Sequence, residues 1–338
     1  MISARGLVRT FRGKGRGVGE VHAVRGVDID VSAGEVVGFL GPNGAGKTTT
    51  LRMLTTLLEP TAGEATVAGH DLRTDPVGVR RNIGYVPQGG SSLPMARVGE
   101  ELTDHAALYG IPTAVSRRRG EELFARLDLE GVWQRQVKTL SGGQRRRLDI
   151  AKGLVHQPPL VFLDEPTTGL DPQSRANLWT HVADLRDTGG VTVFLTTHYL
   201  EEADVLCDRI MVIDHGGIVA VGTPDELKRR VSGDAVLLRL TDPTQVPEAT
   251  RLAAALPDAD EPGVDGDLVH VRVPNGASAL PGLLRELDRA GVTLAAVEVH
   301  RPTLDDVFLA LTGRSLRDAD DGAAADAGLV GAGAGGAA

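Results

Sequence analysis

One cysteine, Cys207, stands in 338 residues. A single thiol permits no intrachain disulfide, so a core and not covalent staples must hold the fold, and this usage fits a reducing cytosol. Cys207 itself is expected to be a small buried hydrophobe. Nowhere does the chain reach the ~18–20 consecutive apolar residues needed to cross a bilayer. Met1-Ile2-Ser3-Ala4-Arg5-Gly6 has no secretory apolar region, so the chain is expected neither to span a membrane nor to be exported. An excess of positive charge is missing as well. Lys and Arg total 36 against 45 Asp and Glu, a formal net charge of −9, which argues against wholesale binding to nucleic acid.

Beside those absences the composition is that of a globular chain: 41% hydrophobic and 24% charged, enough to build a sizeable core. The length exceeds what one core usually organises, and two domains and a tail are expected. Val24–Val31 and Glu35–Leu40 read as strands. Between Phe11 and Val21 lies the glycine-rich, basic stretch 12–19, expected as a hairpin loop. Apolar spacing suggests helices over Val98–Tyr109 and Arg118–Leu127, separated by Gly110-Ile111-Pro112, and so a helical subdomain over about 93–158. Strand-like runs at Leu160–Leu163, Val191–Thr196 and Ile210–Ile213 alternate with helical stretches at Gln173–Arg186 and Leu200–Cys207. That alternation predicts an α/β fold with crossover units and a mostly parallel core sheet.

From about residue 233 the pattern changes. Ala235–Leu240, Leu268–Val273 and Val292–His300 read as strands and Leu280–Ala290 as a helix, which makes a small C-terminal α+β domain over 233–313 after a first domain over 1–230. Residues 314–338, acidic and then Ala/Gly-rich, hold too little apolar bulk to offset ordering entropy and are expected to be disordered.

The chemistry is most legible at Gly41-Pro42-Asn43-Gly44-Ala45-Gly46-Lys47-Thr48. This is G-x-x-x-x-G-K-[ST], set between the apolar run Val36–Leu40 and a helix-like stretch, Thr49–Leu58. Glycines let backbone N–H groups close around phosphates, and the helix aims its positive N-terminal end, Thr49 included, at the same anion. Lys47 supplies a point charge for the β- and γ-phosphates, and the Thr48 hydroxyl can ligate the Mg²⁺ that bridges them. A nucleoside triphosphate is therefore expected as ligand. Downstream, Leu160-Val161-Phe162-Leu163-Asp164-Glu165 is an apolar strand ending in two carboxylates, Asp164 for the Mg²⁺ shell and Glu165 to polarise an attacking water. Leu140-Ser141-Gly142-Gly143-Gln144 opens a helix whose N-terminus offers an anion site. Arg145, Arg146 and Arg147 follow and are expected to form a solvated helix face.

The ordered set Gly41–Thr48, Gln88, Leu140–Gln144, Leu160–Glu165, Gly169-Leu170-Asp171 and His198 resembles the nucleotide-binding subunit of an ABC transporter over about residues 3–228. The resemblance implies a P-loop NTPase fold with an antiparallel β subdomain and an α-helical subdomain. It also implies a head-to-tail dimer of two copies, in which the Ser141 turn of one closes on the γ-phosphate held by the other. By position it implies that Phe11 stacks on adenine, that Gln88 reaches Mg²⁺ and the water, that Asp171 acts across the dimer, and that His198 contacts the γ-phosphate. Arg146-Arg147-Leu148-Asp149-Ile150-Ala151 and Thr303-Leu304-Asp305-Asp306-Val307-Phe308-Leu309-Ala310-Leu311-Thr312-Gly313 resemble motifs of the daunorubicin-resistance type. That subfamily implies export of a hydrophobic drug, antibiotic or lipid-like molecule through a separate ABC-2-type permease, from the cytoplasmic side of the membrane. The permease would be contacted through the Gln88 loop and the stretch near 93–112. An importer ATPase, or a non-transport ATPase acting on ribosomes or DNA, are the alternatives; one phosphate loop, no long coiled-coil insertion and an acidic net charge count against the second.

Overall fold

The structure, a computed structural model, describes residues 1–12, 19–187, 189–230 and 233–313. Most of the glycine-rich stretch, 13–18, and the tail 314–338 lie outside the described residues. Two compact units divide at Pro224/Asp225.

In the first unit, β1 (Ile2–Arg12), β2 (Glu20–Val31), β4 (Ala62–Val67) and β5 (His70–Asp71) form an antiparallel sheet in the order β2-β1-β4-β5. A second sheet runs β10-β9-β3-β8-β7-β6, built from β3 (Val36–Leu40), β6 (Ile83–Val86), β7 (Leu160–Asp164), β8 (Thr192–Thr197), β9 (Arg209–Asp214) and β10 (Gly217–Gly222). Its pairings are parallel except at β9/β10. Helices α1 (Lys47–Leu54), α2 (Pro76–Arg81), α3 (Val98–Ala107), α4 (Thr113–Arg126), α5 (Gly142–Leu154), α6 (Pro172–Asp187) and α7 (Leu200–Leu206) connect the strands, and α8 (Pro224–Arg230), after β10, belongs from Asp225 on to the second unit.

Residues of β3, β7 and β8 are buried without interruption, the pattern of strands covered on both faces. One core joins Leu7, Val27 and Ile29 of the antiparallel sheet to Phe39, Phe162 and Phe194 of the parallel one and to Leu51 and Leu54 of α1. Phe194 stands between the other two rings, 5.6 Å from each. Cys207 is buried as expected, and its desolvation, with Glu202 and Asp208 nearby, pushes the thiol well above its ordinary value.

Helix α1 is shorter than the expected Thr49–Leu58, because the chain leaves it at Thr55 and turns through Thr56 at φ 62. Helix α4 starts five residues before the expected Arg118, directly after Pro112, whose ring cannot sit further inside a helix. Helix α5 approaches β6 closely: a Cβ on Gly84 would lie 2.2 Å from the Gly153 carbonyl oxygen. Gly84→Ala is therefore expected to force α5 away from the sheet and to cost about 1–3 kcal/mol. A melting temperature unchanged to within ~1 °C would contradict this, since ~1 kcal/mol moves a chain of this size by about 2–4 °C.

The second unit contains β11 (Asp234–Leu240), α9 (Val246–Ala254), β12 (Gly263–Asp265), β13 (Leu268–Val273), α10 (Gly276–Arg289), β14 (Leu294–His300) and α11 (Leu304–Thr312). Its strands pair antiparallel in the order β12-β13-β11-β14, a split βαβ arrangement of ferredoxin-like topology. Val236, Leu238 and Leu240 alternate inward and meet Leu283 and Leu287 of α10 and Ala249 and Ala253 of α9.

Candidate active site

Four neighbouring parallel strands, β3, β8, β7 and β6, end level with one another: Leu40 pairs with Thr197, Thr196 with Asp164, and Leu163 with Val86. Their carboxyl ends deliver, in that order, the Gly41–Thr48 loop, His198, Asp164-Glu165 and Gln88. Ligands of open parallel sheets bind at such ends.

Gly41 follows β3, and a side chain there would run into the Ile213 carbonyl oxygen at 2.2 Å. Gly46 caps α1 in the left-handed region at φ 106, where a Cβ would lie 2.6 Å from the Ala23 carbonyl oxygen. Between them Pro42 and Ala45 are buried and Asn43 and Gly44 exposed. The amides of Lys47, Thr48 and Thr49 open α1, where helix N–H groups have no intrahelical partner and carry partial positive charge. Lys47, only 4% exposed, donates from Nζ to the carbonyls of Gly41 at 2.7 Å and Pro42 at 3.1 Å. The same ammonium lies 3.4 Å from Glu165 Oε1.

Asp164 Oδ1 accepts from the Thr48 hydroxyl at 3.1 Å and the Thr196 hydroxyl at 2.7 Å, so the first turn of α1 and two strands meet at one oxygen. Glu165 turns out of β7 at φ 43, in the left-handed region, held there by bonds from its N–H to the Thr196 carbonyl at 3.1 Å and hydroxyl at 3.0 Å. Its Oε2 accepts from Gln88 Nε2 at 2.7 Å and the Thr168 hydroxyl at 3.2 Å. His198 Nδ1 stands 3.3 Å from the same oxygen without the alignment of a hydrogen bond. Lys47, Thr48, Gln88, Asp164, Glu165 and His198, far apart in sequence, thus share one cluster.

The remaining expected residues do not join it. Ser141 caps α5: its hydroxyl accepts from the Gln144 N–H and its own N–H donates to the Gln144 side chain, both at 3.1 Å. Gly142 is exposed, whereas Gly143 is buried against the start of α6, where a Cβ would come 2.9 Å from Ser174 Oγ. Asp171 caps that helix by accepting from the Ser174 N–H at 2.9 Å and hydroxyl at 2.7 Å. Phe11 lies on β1, 36% exposed, with the Arg9 guanidinium 4.7 Å above its ring.

A family model described as ABC transporter matches residues 24–168, and one described as the C-terminal domain of DrrA1-3-like ATP-binding proteins matches 222–312. Across 91% of its length the chain is 43% identical to the daunorubicin resistance ATP-binding protein DrrA3 of Streptomyces coeruleorubidus, 96% of which is covered. The chain belongs to the DrrA-type ABC transporter ATP-binding proteins. It is also 44% identical to the daunorubicin/doxorubicin resistance ATP-binding protein DrrA of Streptomyces peucetius, covering 94% of each chain. A solved dimeric ATP-binding cassette in a post-hydrolysis state, bound to ADP and Pi, superposes with a TM-score of 0.60 at 25% identity over 66% of this chain and 98% of that one. ATP binding and hydrolysis coupled to transport are the chemistry of this DrrA-type chain.

One expectation for the DrrA-type chain needs correction. Arg145 is exposed, but Arg146 is buried with 7% exposure and does not belong to a solvated face. Successive helix residues point about 100° apart, so three arginines in a row cannot share one side. Thr196 and Thr168, which bond Asp164 and Glu165, were not singled out by the sequence either. Hydroxyl residues at strand ends are too common to carry a signal without the register.

Burial alone would raise the Glu165 carboxyl, yet His198 and Lys47 outweigh it and hold it at about 2. A carboxyl whose folded value lies below its ordinary ~4.3 adds stability above that value and loses it as pH falls toward the folded one. Glu165→Gln is accordingly expected to flatten the fall of the urea midpoint between about pH 5 and about pH 3. Parallel curves for the variant and the parent would show that this carboxylate is not coupled to folding.

Proposed function

We propose that the chain works as a head-to-tail pair of copies that binds ATP with Mg²⁺ and drives efflux of a hydrophobic drug, antibiotic or lipid-like molecule through a separate ABC-2-type permease. The observation that carries the export reading is the similarity to resistance proteins across both compact units, not the cassette alone. The Thr48 hydroxyl and Asp164 carboxylate, bonded to each other at 3.1 Å, with the Gln88 side chain beside Glu165, are oxygen donors of the kind Mg²⁺ accepts. Thr48, Asp164 and Gln88 would hold the ion there, and it would supply positive charge against the phosphates.

The chain's own residues would do the rest. Gly41, Pro42, Asn43, Gly44, Ala45, Gly46 and Thr49 wrap backbone around the phosphates, Lys47 exchanges the Gly41 and Pro42 carbonyls for phosphate oxygens, and Phe11 stacks on adenine. Glu165 takes a proton from the attacking water, which Gln88 and His198 orient. Ser141, Gly142, Gly143, Gln144 and Asp171 serve the partner copy's nucleotide. This reading has the exposed N-terminus of α5 turned outward for that purpose.

A groove of about 840 Å³ between α2 and the end of α3 supports docking of a membrane partner. Val77, Arg80, Leu108 and Tyr109 line it, and Leu108 is 81% exposed. Tyr109 stacks on His156 at 3.8 Å, which stiffens its floor. No helix among the described residues is long and apolar enough to cross a membrane, in keeping with a peripheral subunit on the cytoplasmic face.

Vanadate-sensitive ATP hydrolysis by the chain, co-expressed with a candidate ABC-2-type permease, tests the proposal against a panel of hydrophobic antibiotics. Stimulation by a particular compound is the expected result. Hydrolysis indifferent to permease and compounds, or stimulated by ribosomes, would overturn the export reading and leave the ATPase.

A further inference from the structure

We propose that Arg146 is a positioning residue which sets the Gln88 loop against the end of β7, so that a displacement of the Ser141 helix reaches the hydrolytic carboxylate. The idea rests on the roles proposed above for Glu165 and Gln88. It starts from a buried cation whose hydrogen bonds all go to backbone. Arg146 Nε donates to the Pro166 carbonyl at 2.8 Å, one terminal nitrogen to the Asp164 carbonyl at 2.9 Å, and the other to the Pro87 carbonyl at 2.5 Å. These are the neighbours of Glu165 on both sides and the residue before Gln88. A planar guanidinium presents five N–H donors in a fixed fork and can hold three acceptors at once; a lysine ammonium on a flexible stem cannot reproduce that geometry.

The same side of α5 holds the far end of the Gln88 loop. Asp149 accepts from the Ser91 N–H at 3.3 Å and the Ser92 hydroxyl at 3.2 Å. Lys152 donates to the Ser91 carbonyl at 3.3 Å and the Ser92 hydroxyl at 3.1 Å, and pairs with Glu101 at 2.8 Å. Glu101 in turn accepts from the Leu93 N–H at 3.0 Å. Arg146, Asp149 and Lys152 are spaced three residues apart, the spacing that keeps helix side chains adjacent. Of the three, Arg146 alone also grips the strand end that carries Asp164 and Glu165. Ser141 lies on the same helix one and a half turns before it, and a helix moves as a rigid rod. A shift of the Ser141 turn therefore pulls on the backbone at Pro87, Asp164 and Pro166 together, and the bond between Gln88 and Glu165 is made or broken accordingly.

The test uses the full chain in single-turnover hydrolysis of MgATP with protein in excess, and binding of a fluorescent ATP analogue measured alongside. Arg146→Met is expected to lower the rate at least about tenfold with affinity within about threefold of the parent, because the phosphate loop is untouched. Arg146→Lys, which keeps the charge and loses the fork, should fall between the two and carries the test if the methionine variant does not fold. In a Gln88→Ala background Arg146→Lys should add no further loss, since both changes break the same connection. Hydrogen exchange should quicken at Gln88–Ser92 and Glu165–Thr168 and stay unchanged over Lys47–Leu54. A parent-like rate, losses that multiply, or affinity falling in step with the rate would each overturn the proposal. Glu165→Gln is the control for the underlying reading: continued turnover by that variant defeats the site assignment itself, whereas its silence beside active Arg146 variants defeats only the positioning role.

Discussion

Glu165→Gln is expected to bind ATP as the parent does and to lose turnover by about 10²–10⁴-fold, the range a positioned proton acceptor supplies. The new amide has the shape of the carboxylate and keeps the Thr196 bonds to the backbone N–H, so the end of β7 stays where it is. What disappears is the basic oxygen beside Gln88, Thr168 and His198. The phosphate loop keeps its glycines and its ammonium, and the nucleotide is retained and not released. Phosphate release and fluorescent-nucleotide binding measured on one preparation check both halves. Turnover within about tenfold of the parent would remove Glu165 from the role of base.

Lys47→Ala is expected to do the reverse and weaken nucleotide binding itself. The ammonium is buried and already desolvated, bonded to two loop carbonyls and 3.4 Å from Glu165. A charge-assisted bond of this kind contributes about 1.5–3 kcal/mol, so affinity for ATP should fall by about 10–150-fold. The truncation also leaves the Glu165 carboxylate, 6% exposed, without its nearest cation, and a lower melting temperature should accompany the loss. Calorimetric titration with ATP and a thermal melt read the two effects. Unchanged affinity would mean that phosphate recognition rests on the backbone N–H groups alone.

Of the residues that gather at the parallel strand ends, Lys47 and Asp164-Glu165 were legible from contiguous strings, glycines before the one and an apolar run before the other, whereas Gln88 and His198 were expected only through the family resemblance. Their convergence was legible too, since alternating strands and helices imply a parallel sheet whose carboxyl ends lie together. Arg146 was not, because three consecutive arginines offer no sign of which one meets the sheet; that depends on how closely α5 lies on β6, fixed by Gly84 and Gly153. In the second unit, α9 went unread. Its nine residues, Val246–Ala254, show little apolar bulk, and only packing of Ala249 and Ala253 under the sheet makes them a buried face. α2 was missed for a similar reason, being six residues whose start is set by the Asp75 side chain bonding the Gly78 N–H at 2.8 Å.

The left-handed backbone at Glu165 has a consequence for anyone who evolves this chain. A side chain in that region costs about 1–2 kcal/mol that glycine avoids and asparagine partly avoids. Glu165→Gly would recover that cost but lose the pairing with buried Lys47 and the bonds from Gln88 and Thr168, so a library screened for heat tolerance alone should keep the carboxylate. Robustness and work therefore ask for the same side chain at this one residue, in spite of its strained backbone.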